Sequence, residues 1–223
     1  MKKWWMALLF AVICIASLAM VFTLTADMQP IIQGIPYDTT GNQMDVFSCM
    51  YWMWMLLPMF LGVGFCLDSA VRNQKIVLGR YGTYRRYWYR LFAKVLGVFT
   101  VYAVILLAAV AIAYEPDGRL WQAAGLFLSY ALMMLCIYTG FCLFTGHSET
   151  TFVVTVMAHL FLMLADGQTK CRYPALFAPC YGMINRSTLM NTKGMPLWWI
   201  FGVEVAVIAV CVLVMPKIIR KKG

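Results

Sequence analysis

Long apolar runs with almost no charge recur along this chain, and they constrain its fold more than any other feature. The hydrocarbon core of a bilayer is about 30 Å thick, and about 20 apolar helical residues are needed to cross it. Six runs approach or exceed this length, the fifth being the shortest: residues 4–24, 46–67, 91–114, 121–144, 151–165 and 197–215. Lipid offers no hydrogen-bonding partners to the backbone, so such runs must be helical. The sequence therefore predicts an all-α polytopic membrane protein with six transmembrane helices.

The composition excludes a soluble fold. Hydrophobic residues make up 63% of the chain and charged residues 12%, whereas a soluble domain is about half apolar and a quarter charged. The net charge of +9 does not indicate a nucleic-acid partner, because the basic residues flank apolar runs instead of covering one face. We expect one transmembrane domain over residues 1–223, and we interpret residues 4–24 as an uncleaved first helix, since this run is longer than the core of a signal peptide.

Lysine and arginine are concentrated in every second loop. Most of the 18 basic residues fall at one set of helix ends: Lys2, Lys3, Arg72, Lys75, Arg80, Arg85, Arg86, Arg90, Lys94, Lys217, Arg220, Lys221 and Lys222. The loops at the other ends hold only Arg119, Lys170, Arg172, Arg186 and Lys193. Because basic loops are retained in the cytoplasm, we predict that both termini are cytoplasmic and that the protein is a multi-pass protein of the cell membrane.

The predicted cytoplasmic segment at residues 68–90 has a two-sided second half. We expect it to be split at Gly82 into two helical pieces, the second of which, residues 83–94, runs directly into the third span. This piece has a basic face and an aromatic, apolar face, formed by Arg86, Arg90 and Lys94 and by Tyr84, Trp88 and Leu91. Such a helix either lies in the membrane interface as an anchor or provides a docking platform for another protein. The pattern alone leaves both interpretations open.

The longest predicted outer segment covers residues 166–196. Two prolines within residues 173–184 exclude a straight span there, so a short re-entrant or interfacial hairpin between the fifth and sixth helices is expected. Cys171 and Cys180 bracket this stretch on the oxidising side of the membrane, where disulfides persist. A bridge between them would stabilise the protein by about 2–3 kcal/mol. The sequence leaves open whether they are bridged or are both free thiols.

Two titratable residues lie inside apolar runs. An acid near the middle of a transmembrane helix costs about 2.5–3.5 kcal/mol, so it usually faces protein or a water-filled cavity. Glu204, in the sixth run, is therefore either a group on a translocation path or a protonated or hydrogen-bonded acid that joins two helices. His159, midway along the fifth run, is a second candidate for such a path.

The sequence contains no recognisable enzymatic motif. With only two histidines, a histidine-rich metal site is excluded. We find no His-Glu-x-x-His zinc helix, no Gly-x-Ser-x-Gly elbow and no phosphate-binding Gly-x-x-x-x-Gly-Lys-Ser/Thr loop. The chain therefore cannot bind and hydrolyse ATP by itself in the P-loop manner, and we expect that it is not an enzyme.

This plan resembles the membrane subunits of type-2 ATP-binding-cassette exporters, especially small bacterial permeases encoded without a fused ATPase. Residues 77–88 read V-L-G-R-Y-G-T-Y-R-R-Y-W, which looks like the family's R-Y-x-[S/T]-[R/K]-[R/K]-x-W stretch before the third span. In that family this region includes a coupling helix that docks into a groove on the ATPase. The resemblance implies a docking role for Arg80, Arg85, Arg86 and Trp88. It also implies a re-entrant pair at about residues 171–184.

The function implied by this resemblance is that of the transmembrane subunit of an ATP-driven exporter in a bacterial plasma membrane. Its partners would be two cytoplasmic ATPases and a second permease copy or a related subunit. ATP and Mg²⁺ would bind to the ATPases, with no cofactor on this chain, and Glu204 and His159 would lie on the translocation path. Two alternatives stay open, namely an ion-coupled carrier without an ATPase and a non-transporting membrane sensor or scaffold.

Overall fold

The structure, a computed structural model, describes residues 2–25, 30–35, 46–72, 84–115, 117–169, 172–214 and 217. The long apolar helices within these ranges are α1 (Lys2–Leu24), α2 (Val46–Arg72), α3 (Tyr84–Ala113), α4 (Gly118–Thr145), α5 (Ser148–Gln168) and α6 (Leu197–Leu213). The described residues form no β-strand beyond one isolated bridge between Ser187 and Met195. The predicted all-α class is confirmed. By length and composition α1 to α5 are able to span a membrane, whereas α6 has 17 residues and is shorter.

Each predicted apolar run corresponds to one of these helices. Helix α3 begins at Tyr84 because the helical piece predicted at residues 83–94 runs directly into the run at 91–114. Helix α5, expected over residues 151–165, extends over Ser148–Gln168. Five of its six added residues are polar, and two of these five are buried: Ser148 bonds to Asp68 of α2 at 3.3 Å, and Asp166 pairs with Arg186. These contacts extend the helix beyond its apolar part. The number of helices that cross the membrane, and their orientation in it, remain predictions.

Helix α2 continues through Pro58. Proline lacks an N–H donor and crowds the preceding turn, so it leaves a carbonyl there without its helical partner. The carbonyl affected is that of Trp54, four residues before the proline. The carbonyl of the next residue, Met55, accepts a 2.7 Å hydrogen bond from the buried hydroxyl of Tyr102 on α3. This bond joins α2 to α3 beside the proline.

Helix α4 is the central helix of the bundle. In its most apolar stretch 72% of the residues are buried, against 22% in α1 and in α3. Its ends are defined by local signals, because the Asp117 side chain accepts a hydrogen bond from the Arg119 N–H at the start and Gly146 adopts φ +77° at the end, as N-caps and C-caps commonly do. Helices α2, α5 and α6 pack around α4, which leaves large apolar faces of α1 and α3 on the outside.

Contacts at the predicted cytoplasmic end join three helices. At the end of α2, the guanidinium of Arg72 donates to Asp68 at 2.8 Å and to Glu149 at the start of α5 at 3.3 Å. The Tyr87 hydroxyl, near the start of α3, donates to the Ala70 carbonyl at 3.0 Å. Because exposed ion pairs contribute little to stability, their importance is geometric. They place the ends of α2 and α5 and the start of α3 side by side.

Residues 172–196 form a compact unit, here called the outer cap. It contains three short 3₁₀ helices, Pro174–Leu176, Ala178–Gly182 and Ile184–Arg186, and it packs against α4 and α5. It also contacts the turn at residues 30–35, where the Asn185 side chain donates to the Ile35 carbonyl at 2.8 Å. The expected outer hairpin is thus a folded cap over the bundle, and its re-entrance into the membrane remains a prediction.

Candidate functional site

A cluster of buried polar and aromatic side chains lies inside the bundle, and we call Trp52, Tyr130, His159 and Glu204 the inner polar cluster. His159 of α5 is 2% exposed. Its ring stacks on Trp52 of α2, with ring centroids 5.7 Å apart and planes at 15°. Its Nδ1 lies 3.1 Å from the hydroxyl of Tyr130 on α4, and the rings of Trp52, Tyr130 and His159 contact one another. The imidazole is therefore held by one stacking contact and one hydrogen bond.

Aromatic packing fixes the position of Trp52, which is fully buried. Its ring meets Phe127 edge-on, with centroids 5.3 Å apart at 84°, and meets Tyr130 at 5.7 Å. Edge-to-face and tilted pairs of this kind add about 0.5–1.5 kcal/mol beyond the area they bury. The indole N–H of Trp52 has no hydrogen-bond partner among the described residues. The cluster therefore retains an unused buried donor.

Glu204 of α6 is 2% exposed, and its Oε1 has no hydrogen-bond partner among the described residues. The Ser129 hydroxyl of α4 hydrogen-bonds to the carboxyl group, and Tyr130 of α4 interacts with it electrostatically. None of the ion pairs formed within the described ranges includes Glu204. Burying a carboxylate that has no cation beside it is costly. Glu204 therefore has the chemistry to take up a proton or to bind a cationic or hydrogen-bonding group supplied from outside the chain.

The two residues predicted to lie on a translocation path are brought together by Tyr130. Its hydroxyl bonds to His159, and Glu204 lies close enough to interact with it electrostatically. Tyr130 was not among the residues predicted from the sequence. A signal was present, because a tyrosine in the middle of an apolar run is far from the interface that it normally prefers and needs a buried partner. Carboxylate, phenol and imidazole thus lie around one position in the bundle.

The residues predicted to dock an ATPase have different surroundings. Arg80 lies outside the described residues, and Arg85 belongs to α3 but its side chain is not described. Arg86 is exposed, and its docking role remains a prediction. Trp88 is 2% exposed, and its ring lies parallel to that of Phe92 with centroids 6.2 Å apart. Trp88 is therefore packed inside the protein, and in this structure its ring is not available for direct contact with a partner.

A buried ion pair that the sequence analysis did not predict holds the outer cap on the bundle. Arg186 Nε lies 3.3 Å from Asp166 Oδ2, and the two side chains are 6% and 0% exposed. Both residues belong to the stretch predicted as the longest outer segment, residues 166–196. Asp166 Oδ1 and Arg186 Nη2 have no further partner among the described residues. The pair joins the end of α5 to the third short helix of the cap.

The predicted disulfide is not tested by these contacts. Cys180 is buried in the second short helix of the cap, and Cys171 lies outside the described residues.

The same short helix contacts α4 at its last residue, Gly182. A Cβ atom added at Gly182 would lie 2.8 Å from the Tyr130 ring. Only glycine permits this approach, which brings the cap directly onto the inner polar cluster.

Comparison with known proteins does not assign a family to this chain. No protein-family model matches its sequence, and no curated protein or solved structure is detectably similar to it. The resemblance to type-2 exporters therefore rests on the predicted topology and on the short stretch at residues 77–88.

Proposed function

We propose that this chain is the transmembrane subunit of an ATP-driven exporter of the type-2 ATP-binding-cassette class, which forms the translocation path and docks a separate cytoplasmic ATPase. The observation that carries the proposal is the length of α3 together with the surroundings of its first turns. This helix has 30 residues, which is about 45 Å at 1.5 Å per residue, more than the hydrocarbon core requires. Its first turns carry an exposed arginine on one side and are packed into the protein on the other. Such a helix is suited to transmit force.

The contacts at the predicted cytoplasmic end of the bundle would transmit this force from one helix to the next. The predicted coupling segment, residues 68–90, includes the end of α2 and the start of α3. These two ends are tied by the hydrogen bond from Tyr87 to Ala70, and α5 is tied to them by the pair of Arg72 with Glu149. In the proposed cycle, ATP draws two ATPases together and this end of the bundle moves as a unit. A path between two permease copies then opens outward, with Glu204 and the outer cap at its exit.

The docking role predicts that the double variant Arg85→Glu/Arg86→Glu loses the ATPase. Two charge reversals on a contact surface replace attraction by repulsion, so we expect about tenfold less ATPase to co-purify with the tagged permease when both are co-expressed. If an ATP-binding-cassette ATPase is encoded beside this gene, it is the one to co-express. Arg119→Glu, at an exposed site on the predicted outer side, is the matched control. Undiminished ATPase recovery from a well-folded double variant would contradict the docking proposal.

The path role of Glu204 predicts that Glu204→Gln impairs transport without unfolding the protein. Glutamine keeps the shape but loses the charge, and a hydrogen bond to a charged group contributes about 1.5–3 kcal/mol. We therefore expect at least about a tenfold fall in export by the reconstituted complex. Glu115→Gln, at an exposed acid that takes part in no contact used in the proposed cycle, should leave export unchanged. If Glu204→Gln exports at the wild-type rate, the carboxylate only joins α4 and α6.

An ion-coupled carrier is the second candidate, and one observation favours it. Glu204 and His159 are both buried and both interact with Tyr130, and buried titratable groups of this kind occur in proton relays. A carrier would accumulate its cargo in proteoliposomes under an imposed pH gradient, with no ATPase present. Transport in that experiment would exclude the ATPase-driven proposal, whereas strict dependence on ATPase and ATP would exclude the carrier.

A further inference from the structure

One face of α3 is exposed along the whole helix and changes from basic to apolar along its length. Its residues follow one another at spacings of three or four, which places them on one side of a helix. They are Arg86, Arg90, Lys94, Gly97, Val101, Val104, Ala108 and Ile112. The apolar part is strongly exposed, with 62% for Val104 and 87% for Ile112. The basic and apolar parts therefore form one continuous surface.

The opposite face of α3 is packed against the protein. It includes Tyr87, Trp88 and Leu91 at the basic end and Tyr102 and Leu106 further along, all of which are buried. An interfacial anchor helix would instead turn its apolar face to lipid. The start of α3 is therefore not a free amphipathic helix lying on the membrane, and its basic residues project from the side of the bundle.

Helix length fixes the depth of the basic residues. Residues 95–113 carry no charge, and the distance along the axis from Lys94 to the helix end at Ala113 is about 29 Å. This equals the thickness of the hydrocarbon core, so Lys94 lies at its boundary. Measured along the helix axis from Lys94, Arg90 is about 6 Å farther from the hydrocarbon core, inside the headgroup layer. Arg86 is about 12 Å from Lys94 in the same direction, at the cytoplasmic limit of that layer.

We propose that Arg90 and Lys94 form a binding site for the headgroup of an anionic phospholipid whose acyl chains lie along the exposed apolar face of α3. The height of the two side chains matches that of lipid phosphates, their charge is complementary, and the surface directly below them is apolar. Arg86, one turn higher, is left for contacts in the cytoplasm. This inference does not depend on the transport proposal, since it concerns a different surface and a different partner.

The test is lipid binding to the purified protein, measured by native mass spectrometry. The probes are phosphatidylglycerol and phosphatidylcholine with identical acyl chains, so that only the headgroup charge differs. A basic residue near the membrane surface attracts anionic lipid. The variant Arg90→Gln/Lys94→Gln removes this attraction at two positions, so it should weaken phosphatidylglycerol binding about 30-fold. Binding of phosphatidylcholine should be unchanged, which also shows that the variant is folded. The matched control Arg119→Gln should keep full phosphatidylglycerol binding.

Two results would overturn the proposal. The first is an Arg90→Gln/Lys94→Gln variant that keeps its preference for phosphatidylglycerol, since the two residues would then not bind the headgroup. The second is an Arg119→Gln variant that loses as much phosphatidylglycerol binding as the double variant, since binding would then depend on overall charge.

Discussion

Replacing Arg186 by methionine should destabilise the protein by about 3–5 kcal/mol, because it leaves the fully buried carboxylate of Asp166 without its cation. The side chains lie 3.3 Å apart and are almost completely excluded from solvent, so water cannot replace the lost partner. The free energy of unfolding is measured in mixed micelles titrated with a denaturing detergent. Hydrogen exchange at residues 178–186 should rise as well, since the ion pair holds the outer cap on α5.

Two further variants separate this effect from the loss of any arginine. Arg172→Met removes an exposed arginine of the same cap and should change the free energy of unfolding by less than about 0.5 kcal/mol. The double variant Asp166→Leu/Arg186→Met removes both buried charges and should recover most of the lost stability, because apolar pairs often replace buried ion pairs without cost. Equal effects of Arg172→Met and Arg186→Met would show that the buried pair does not hold the cap.

The helices could be predicted from the sequence because lipid imposes a simple condition on them. A run such as residues 4–24 or 91–114 has few alternatives to a helix when no water is available to its backbone. The ends of a helix could not be predicted in this way where polar residues continue it beyond the apolar run. Ser148 and Asp166 belong to α5 only because Asp68 and Arg186 satisfy them, and these partners are far away in sequence.

The outer cap could not be predicted beyond its proline content. Its fold depends on contacts between distant segments, such as the bond from Asn185 to Ile35 and the close approach of Gly182 to Tyr130. Nothing in the spacing of these residues indicates that they meet. Gly34 has φ +109° and lies against Met183, and this requirement for glycine is visible only in the folded chain.

The inner polar cluster was predicted in part. Burying a titratable side chain in lipid is costly, which identified Glu204 and His159, but the same reasoning gives no partner for either residue. Periodicity placed Trp88 on the aromatic face of its helix without showing what covers that face. In the structure the neighbouring helices cover it, and the basic face remains outside. A periodic pattern thus identifies the faces of a helix, and only tertiary contacts determine which of them is exposed.

Replacing Trp52 by alanine should destabilise the protein by about 3–5 kcal/mol, the usual cost of removing a large buried aromatic side chain. Lipid is as apolar as the core of the bundle, so the loss comes mainly from the van der Waals contacts that line the resulting cavity. Trp52 is fully buried and touches Phe127, Tyr130 and His159. The variant therefore loosens three helices at once and removes the ring on which the imidazole stacks.

Trp198→Ala provides the matched control, because the same side chain at the start of α6 is 72% exposed and its removal leaves no cavity. We expect its free energy of unfolding to lie within about 0.5 kcal/mol of the wild type. Trp52→Phe should fall between the two, since a smaller ring still stacks on His159. Unfolding of Trp52→Ala and Trp198→Ala at the same detergent concentration would show that the inner polar cluster is not a packed unit. The positions of Tyr130 and His159 would then not depend on the Trp52 ring.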